Sequence, residues 1–144
     1  MYPELSFAPS RSPRKILIVD DDPDIRSLTR TFLEHEGYTV YACGNPDRAA
    51  QIFRRSTDID LVITDFSMPH RSGLDLAREL KALRPSLQIL IISGVLVSSV
   101  QMDQMQVHGW RFLPKPFSLP QLLSEVHNIL EPDADLNRSV TLMA

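Results

Sequence analysis

The strongest constraint on this chain is a repeated alternation. Five short apolar runs, at residues 15–20, 38–42, 60–64, 87–92 and 110–113, are separated by stretches with helical periodicity. The runs are rich in Ile, Val and Leu and have the length of strands buried on both faces. Strands that alternate with helices pair in parallel through right-handed crossovers, with helices packed on both faces of the sheet. The pattern therefore predicts a doubly wound α/β domain with a five-stranded parallel sheet. Such sheets gather their chemistry at the carboxyl edge.

The intervening stretches carry start and stop signals. Asp22 and Pro23 are a capping carboxylate followed by proline at the first helical position, so a helix should begin there, bury Ile25, Leu28, Phe32 and Leu33, and stop at Gly37. Asn45 and Pro46 repeat the signal for a helix with Ala49, Ile52 and Phe53 inward. Residues 73–83 supply a third helix, closed off by Pro85. Leu119, Leu122, Leu123, Val126, Ile129 and Leu130 form an apolar stripe at helical period. Between residues 95 and 107 valine and methionine abound, and the expectation is a short or loosely held helix.

A chain of 144 residues with 43% hydrophobic residues accommodates one domain with a proper core. Residues 1–13 hold three prolines and three serines among few apolar residues, a linker composition expected to be disordered. Residues 132–144 are polar and aperiodic and should form a disordered tail, leaving 14–131 as the domain. The formal charge is −3 and there is no Lys/Arg-rich run, which argues against direct nucleic-acid or anionic-membrane binding. No apolar stretch is long enough to cross a bilayer, so no membrane insertion is expected. The single cysteine, Cys43, rules out an internal disulfide and fits a reducing compartment. The expected location is the cytoplasm.

The predicted carboxyl edge carries Asp20, Asp21 and Asp22 after the first run, Asp65 after the third, Ser93 and Gly94 after the fourth, and Lys115, Pro116 and Phe117 after the fifth. Taken singly, each has an ordinary explanation as a cap, a solvated loop residue or a turn. For Asp22 the cap is the preferred reading. Three further acids converging on one edge repel each other, and are better explained by a hard divalent cation with oxygen ligands, magnesium being the expected ion. A hydroxyl and an ammonium beside such a cluster suit a tetrahedral anion, here a phosphoryl group.

Four stretches together resemble the receiver domain of two-component response regulators across about residues 14 to 130: Ile16-Leu17-Ile18-Val19-Asp20-Asp21-Asp22; Asp65-Phe66-Ser67-Met68-Pro69 with Gly73 following; Ile91-Ile92-Ser93-Gly94; and Phe112-Leu113-Pro114-Lys115-Pro116-Phe117. The resemblance implies a flavodoxin-like sheet of strand order 2-1-3-4-5 and a phosphoryl group accepted by Asp65. It implies Mg2+ bound directly by Asp21, Asp65 and the backbone carbonyl of Ser67, with Asp20 acting through water. It further implies that Ser93 and Lys115 contact the phosphoryl group, that Ser93 and Phe112 form a switch, and that Pro116 is a cis proline. The implied donor is a sensor histidine kinase or phosphotransfer protein. The implied output is a protein partner engaged through the face of the fourth helix, fifth strand and fifth helix, by a monomer or weak dimer. Such a module phosphorylates itself from a donor and loses the mark by hydrolysis, without a substrate whose turnover is its purpose.

Gly94 stands where alanine is frequent in receivers, and Trp110 follows Gly109 where a small residue is usual, departures that bear on the fourth helix rather than on the acids. The Ser-Gly pair and the closely spaced Phe-Leu-Pro-Lys-Pro-Phe also look like receivers of hybrid sensor kinases. Two alternatives remain: a haloacid dehalogenase-type phosphatase, whose Asp-x-Asp pattern is followed here by Pro23 and Asp24 instead of the usual Thr or Val, and a receiver fold kept only for protein binding.

Overall fold

The computed structural model describes residues 13–56, 58–94 and 98–131. The segments expected to be disordered, apart from Pro13, lie outside the described residues. Among the described residues five strands and five helices alternate: β1 Lys15–Val19, α1 Pro23–His35, β2 Thr39–Cys43, α2 Pro46–Arg55, β3 Leu61–Asp65, α3 Gly73–Leu83, β4 Gln88–Ser93, α4 Ser99–His108, β5 Arg111–Pro114 and α5 Leu119–Leu130. All pairings are parallel, in the order β2-β1-β3-β4-β5.

Side chains in the central strands alternate between two cores, as the two-residue period of a strand requires. Leu17, Val19, Val62, Ile89 and Ile91 pack with Ala49 and Phe53 of α2, Leu76, Ala77 and Leu80 of α3, and Met105 of α4. Ile16, Ile18, Leu61, Ile63, Leu90 and Ile92 pack with Leu33 of α1 and Leu122, Val126 and Leu130 of α5. Burial on both faces explains why these strands read as unbroken apolar runs.

The helices begin where capping chemistry puts them. Asp22 accepts from the backbone N–H groups of Asp24 and Ile25, and Asn45 from that of Arg48. Ser72 with Asp75, Ser98 with Gln101 and Ser118 with Gln121 form reciprocal capping boxes on α3, α4 and α5. Within the valine- and methionine-rich segment, whose residues 95–97 lie outside the described residues, the remainder forms α4, which ends at Gly109 with a left-handed φ of 73°. Met105 is its one buried residue among those described, in keeping with a loosely held helix.

One expectation needs correction. Ile25 and Leu28 do not enter the core: they are 36% and 58% exposed, and the buried residues of α1 are Thr29 and Leu33. The first turns of α1 border a hollow facing Pro116, Phe117 and Leu119 instead of the sheet. Periodicity identified an apolar stripe, but burial follows the surface that a neighbour covers.

Candidate functional site

Loops at the carboxyl ends of β1, β3, β4 and β5 bring together residues far apart in sequence. β1 ends at Val19, so Asp20 and Asp21 form the turn into α1; Asp65 is the last residue of β3, Ser93 the last of β4, and Lys115 follows β5 directly. The ladder holds them in line. Asp65 pairs with Ile92 and Ser93 with Pro114, the Phe66 N–H donates to the Ile92 carbonyl at 2.7 Å, and the Lys115 N–H donates to the Ser93 carbonyl at 2.8 Å.

Carboxylate oxygens of Asp20, Asp21 and Asp65 all lie within 4.8 Å of one another. Nζ of Lys115 donates to Oδ2 of Asp65 at 3.1 Å and stands 3.9 Å from Oδ2 of Asp20. Asp20 is buried, with Oδ1 accepting from the Asp22 N–H at 2.9 Å, whereas Asp21 is exposed. Burial pushes the Asp20 carboxyl above its ordinary 3.8; the Asp22 N–H and Lys115 oppose that rise, and the charges of Asp65 and Asp21 add to it. Burial works against the Lys115 ammonium too, but its hydrogen bond to Asp65 and the charges of all three acids outweigh that cost, leaving its pKa above 10.5.

Hard oxygen donors, excess negative charge and a position at the mouth of the sheet fit a small divalent cation such as Mg2+, which favours a few carboxylates and retains water. Asp20, Asp21 and Asp65 are the residues that could hold it. The Ser67 N–H folds back to Oδ1 of Asp65 at 3.3 Å, which keeps the start of the β3–α3 loop beside the acid.

Gly73 shapes the same loop. A Cβ there would lie 2.2 Å from the Asp65 carbonyl oxygen and 3.1 Å from the Phe66 Cα, while the Gly73 N–H donates to the Phe66 carbonyl at 2.7 Å. Only a bare Cα allows α3 to start this close to the strand that carries Asp65. In the same loop His70 has a φ of 74°, a left-handed conformation uncommon for a residue with a Cβ.

Ser93 is buried at the end of β4, Phe112 is half-buried against the core on the α2–α4 side, and the Lys115–Pro116 peptide is cis. Two residues of the site escaped the sequence reading. Arg26 of α1 reaches back to the Asp20 carbonyl at 2.7 Å, and Gly44 lies beneath its guanidinium. The available signal was slight: an arginine one turn beyond the acidic triplet and a glycine two residues after the second run.

The family model described as the response regulator receiver domain matches residues 16–127. The chain belongs to that family. The receiver domain is 36% identical over 121 residues to the DNA-binding transcriptional regulator NtrC of Azospirillum brasilense, covering 83% of this chain and 24% of NtrC. It is 32% identical over 117 residues to the sensor kinase CckA of Brucella abortus, covering 81% of this chain and 12% of CckA. The chain thus spans a quarter or less of these two relatives. Among solved structures, the response regulator TrrA of Thermotoga maritima in complex with Mg2+ and BeF is 31% identical, with a TM-score of 0.71, covering 81% of this chain and 99% of that one. TrrA has also been solved in complex with the histidine kinase ThkA. Family membership decides against the phosphatase reading and makes this a signalling domain.

Proposed function

We propose that the domain takes a phosphoryl group onto Asp65 from a phosphohistidine of a sensor histidine kinase or phosphotransfer protein, and thereby switches a protein-interaction surface. The observation that carries this reading is the convergence of Asp20, Asp21 and Asp65 within 4.8 Å, with Lys115 at 3.1 Å from Asp65. In the transfer, an Asp65 carboxylate oxygen forms a bond to phosphorus while the bond from phosphorus to the imidazole nitrogen breaks, and the electron pair leaves with the ring. Positioning and charge neutralisation account for the catalysis. Lys115 balances the charge that builds on the transferring oxygens, and the buried Ser93 hydroxyl at the adjacent strand end donates to one of them. Asp21, Asp65 and the Ser67 carbonyl would hold Mg2+, with Asp20 acting through water, and the ion would supply the remaining neutralisation. Water later hydrolyses the acyl phosphate.

The apolar hollow beside Lys115 suits the donor. It has a volume of about 480 Å3 and is lined by Ile25, Leu28, Thr29, Pro116, Phe117 and Leu119 among others. An amphipathic helix carrying a phosphohistidine would cover Ile25 and Leu28 and present the ring to Asp65; that TrrA has been solved with the histidine kinase ThkA supports a histidine kinase as the partner. Output passes to a downstream protein through α4, β5 and α5. The phosphoryl group adds about −1.5 to −2 charges, draws the Ser93 hydroxyl toward it and lets Phe112 turn inward behind it. Such a switch shifts the populations of two packings close in energy. The domain works in the cytoplasm as a monomer or weak dimer, without contacting nucleic acid directly; no described helix is long and apolar enough to cross a membrane.

Intact-mass and peptide mapping after treatment with acetyl phosphate and Mg2+ tests the reading. One phosphoryl group on Asp65, lost when EDTA replaces Mg2+, is the expected result. Labelling that persists in EDTA or maps elsewhere would overturn it.

A further inference from the structure

Asp20 is tied at four points. Its N–H donates to the Cys43 carbonyl at 3.1 Å, its Oδ1 accepts from the Asp22 N–H at 2.9 Å, and its Oδ2 faces Lys115 at 3.9 Å. The fourth tie comes from outside the acidic cluster: Nη1 of Arg26 donates to the Asp20 carbonyl oxygen at 2.7 Å. A guanidinium on a carbonyl is a charge-assisted hydrogen bond, stronger than a neutral one.

Gly44 builds the seat for that guanidinium. A Cβ on Gly44 would lie 2.8 Å from Nη1 and 3.6 Å from Cζ of Arg26, and 3.8 Å from the Asp20 carbonyl oxygen. Gly44 is not one of the glycines with positive φ, so its value here is space and not backbone freedom. The held oxygen belongs to the peptide that joins Asp20 to Asp21. Asp21 is exposed, so the orientation of this peptide sets where its carboxylate points.

We propose that Arg26, seated on Gly44, is a positioning residue that fixes the Asp20–Asp21 peptide and so aims both acids at the cation and at Asp65. The inference rests on the reading of this cluster as a Mg2+-dependent phospho-acceptor site. A purely structural role, tying α1 to the end of β2, predicts a loss of stability and nothing more.

The test is a calorimetric Mg2+ titration of the full chain and of Arg26→Ala, Arg26→Lys, Gly44→Ala and the Arg26→Ala/Gly44→Ala double variant, with urea unfolding followed in parallel. Arg26→Ala and Gly44→Ala should each lose about tenfold in Mg2+ affinity, the size expected when a group supporting a ligand is removed. Arg26→Lys, which keeps one charged donor, should recover part of the loss. The double variant should be no weaker than either single one, because both changes break one interaction. If Arg26→Ala does not fold, Gly44→Ala carries the test, since the one close approach of its Cβ is to the far end of a flexible side chain and the arginine remains. Mg2+ affinity unchanged in Gly44→Ala and Arg26→Ala, or losses that multiply in the double variant, would overturn the inference. A parent chain that binds no Mg2+ overturns the proposed function itself, and the positioning role with it.

Discussion

The two ends of the sheet treat charge in opposite ways. At the amino edge, acids and bases are interleaved: Asp60 accepts from the Lys15 N–H at 2.8 Å and stands 3.7 Å from Arg14, and Asp58 pairs with the Lys15 ammonium. Arg84 donates to the Ile59 and Ser56 carbonyls and lies over the Phe53 ring at 4.5 Å. At the carboxyl edge three carboxylates crowd together against Lys115, and one of them, Asp20, is buried with a raised pKa. The amino edge is arranged as stability favours. The carboxyl edge keeps a repulsion that stability alone would remove, and under the proposed function that excess would serve to hold a cation.

The largest expected difference is functional. Asp65→Asn should abolish labelling by acetyl phosphate, whereas Asp60→Asn, a change of the same kind at the other edge, should leave it intact as judged by intact mass. Equal labelling of parent and Asp65→Asn would collapse the contrast.

Next comes Gly73→Ala. Its Cβ would meet the Asp65 backbone at 2.2 Å, so either α3 or the end of β3 must shift. Urea unfolding should show a loss of roughly 2–3 kcal/mol, the scale of overpacking a close contact, and the labelling rate should fall with it. Labelling at the parental rate would mean that α3 moves and Asp65 does not.

A smaller effect has opposite signs at the two edges. In Mg2+-free buffer at neutral pH, Asp20→Asn should stabilise the fold by about 1 kcal/mol, since it removes a buried charge among like charges and retains an acceptor for the Asp22 N–H. Asp60→Ala should cost about 1 kcal/mol through the lost hydrogen bond to the Lys15 N–H. Mg2+ should reduce or reverse the advantage of Asp20→Asn by stabilising the parent. Two shifts of the same sign would dissolve the distinction between the edges.

The smallest effect is in acid. The folded-state pKa of Asp20 is raised, so its ionisation opposes folding: the parent loses stability as pH rises from the ordinary 3.8 through the higher folded value. Asp58 is lowered by its hydrogen bond to Lys15, so its contribution is present above 3.8 and lost as pH falls through the folded value. Because the Lys15–Asp58 pair is exposed, the latter effect should be slight. Unfolding midpoints measured against pH without Mg2+ should therefore show Asp20→Asn removing a downward slope above 3.8, and Asp58→Asn removing a shallow upward slope below it.

Much of this was legible in the sequence because it is written in local chemistry. The apolar runs fell within one residue of the observed strands at every end, and the Asp22 and Asn45 caps act as their residue types suggest. The run ends differ for a physical reason: backbone groups of Asp65 and Ser93 continue the ladder although their side chains are polar, so hydrophobicity stops before the hydrogen bonding does. The predicted strand ends supplied the acids, Ser93 and Lys115, resemblance to receivers supplied the roles expected of them, and the structure brings the three acids and Lys115 into reach of one another.

What the sequence determined by itself is the alternation of strand and helix, and hence a doubly wound sheet whose carboxyl edge collects Asp20, Asp65, Ser93 and Lys115; periodicity and capping depend on neighbours a few residues away. What only the tertiary structure decided depends on surfaces that meet across the chain. Ile25 and Leu28 carry the periodicity of a buried stripe yet stay exposed, because α1 meets a hollow there and not the sheet. Arg26 and Gly44 look unremarkable in sequence, eighteen residues apart. They become part of the site only because the parallel pairing of β1 with β2 sets the end of one strand beside the end of the other, leaving room for one guanidinium where a single added methyl group would displace it.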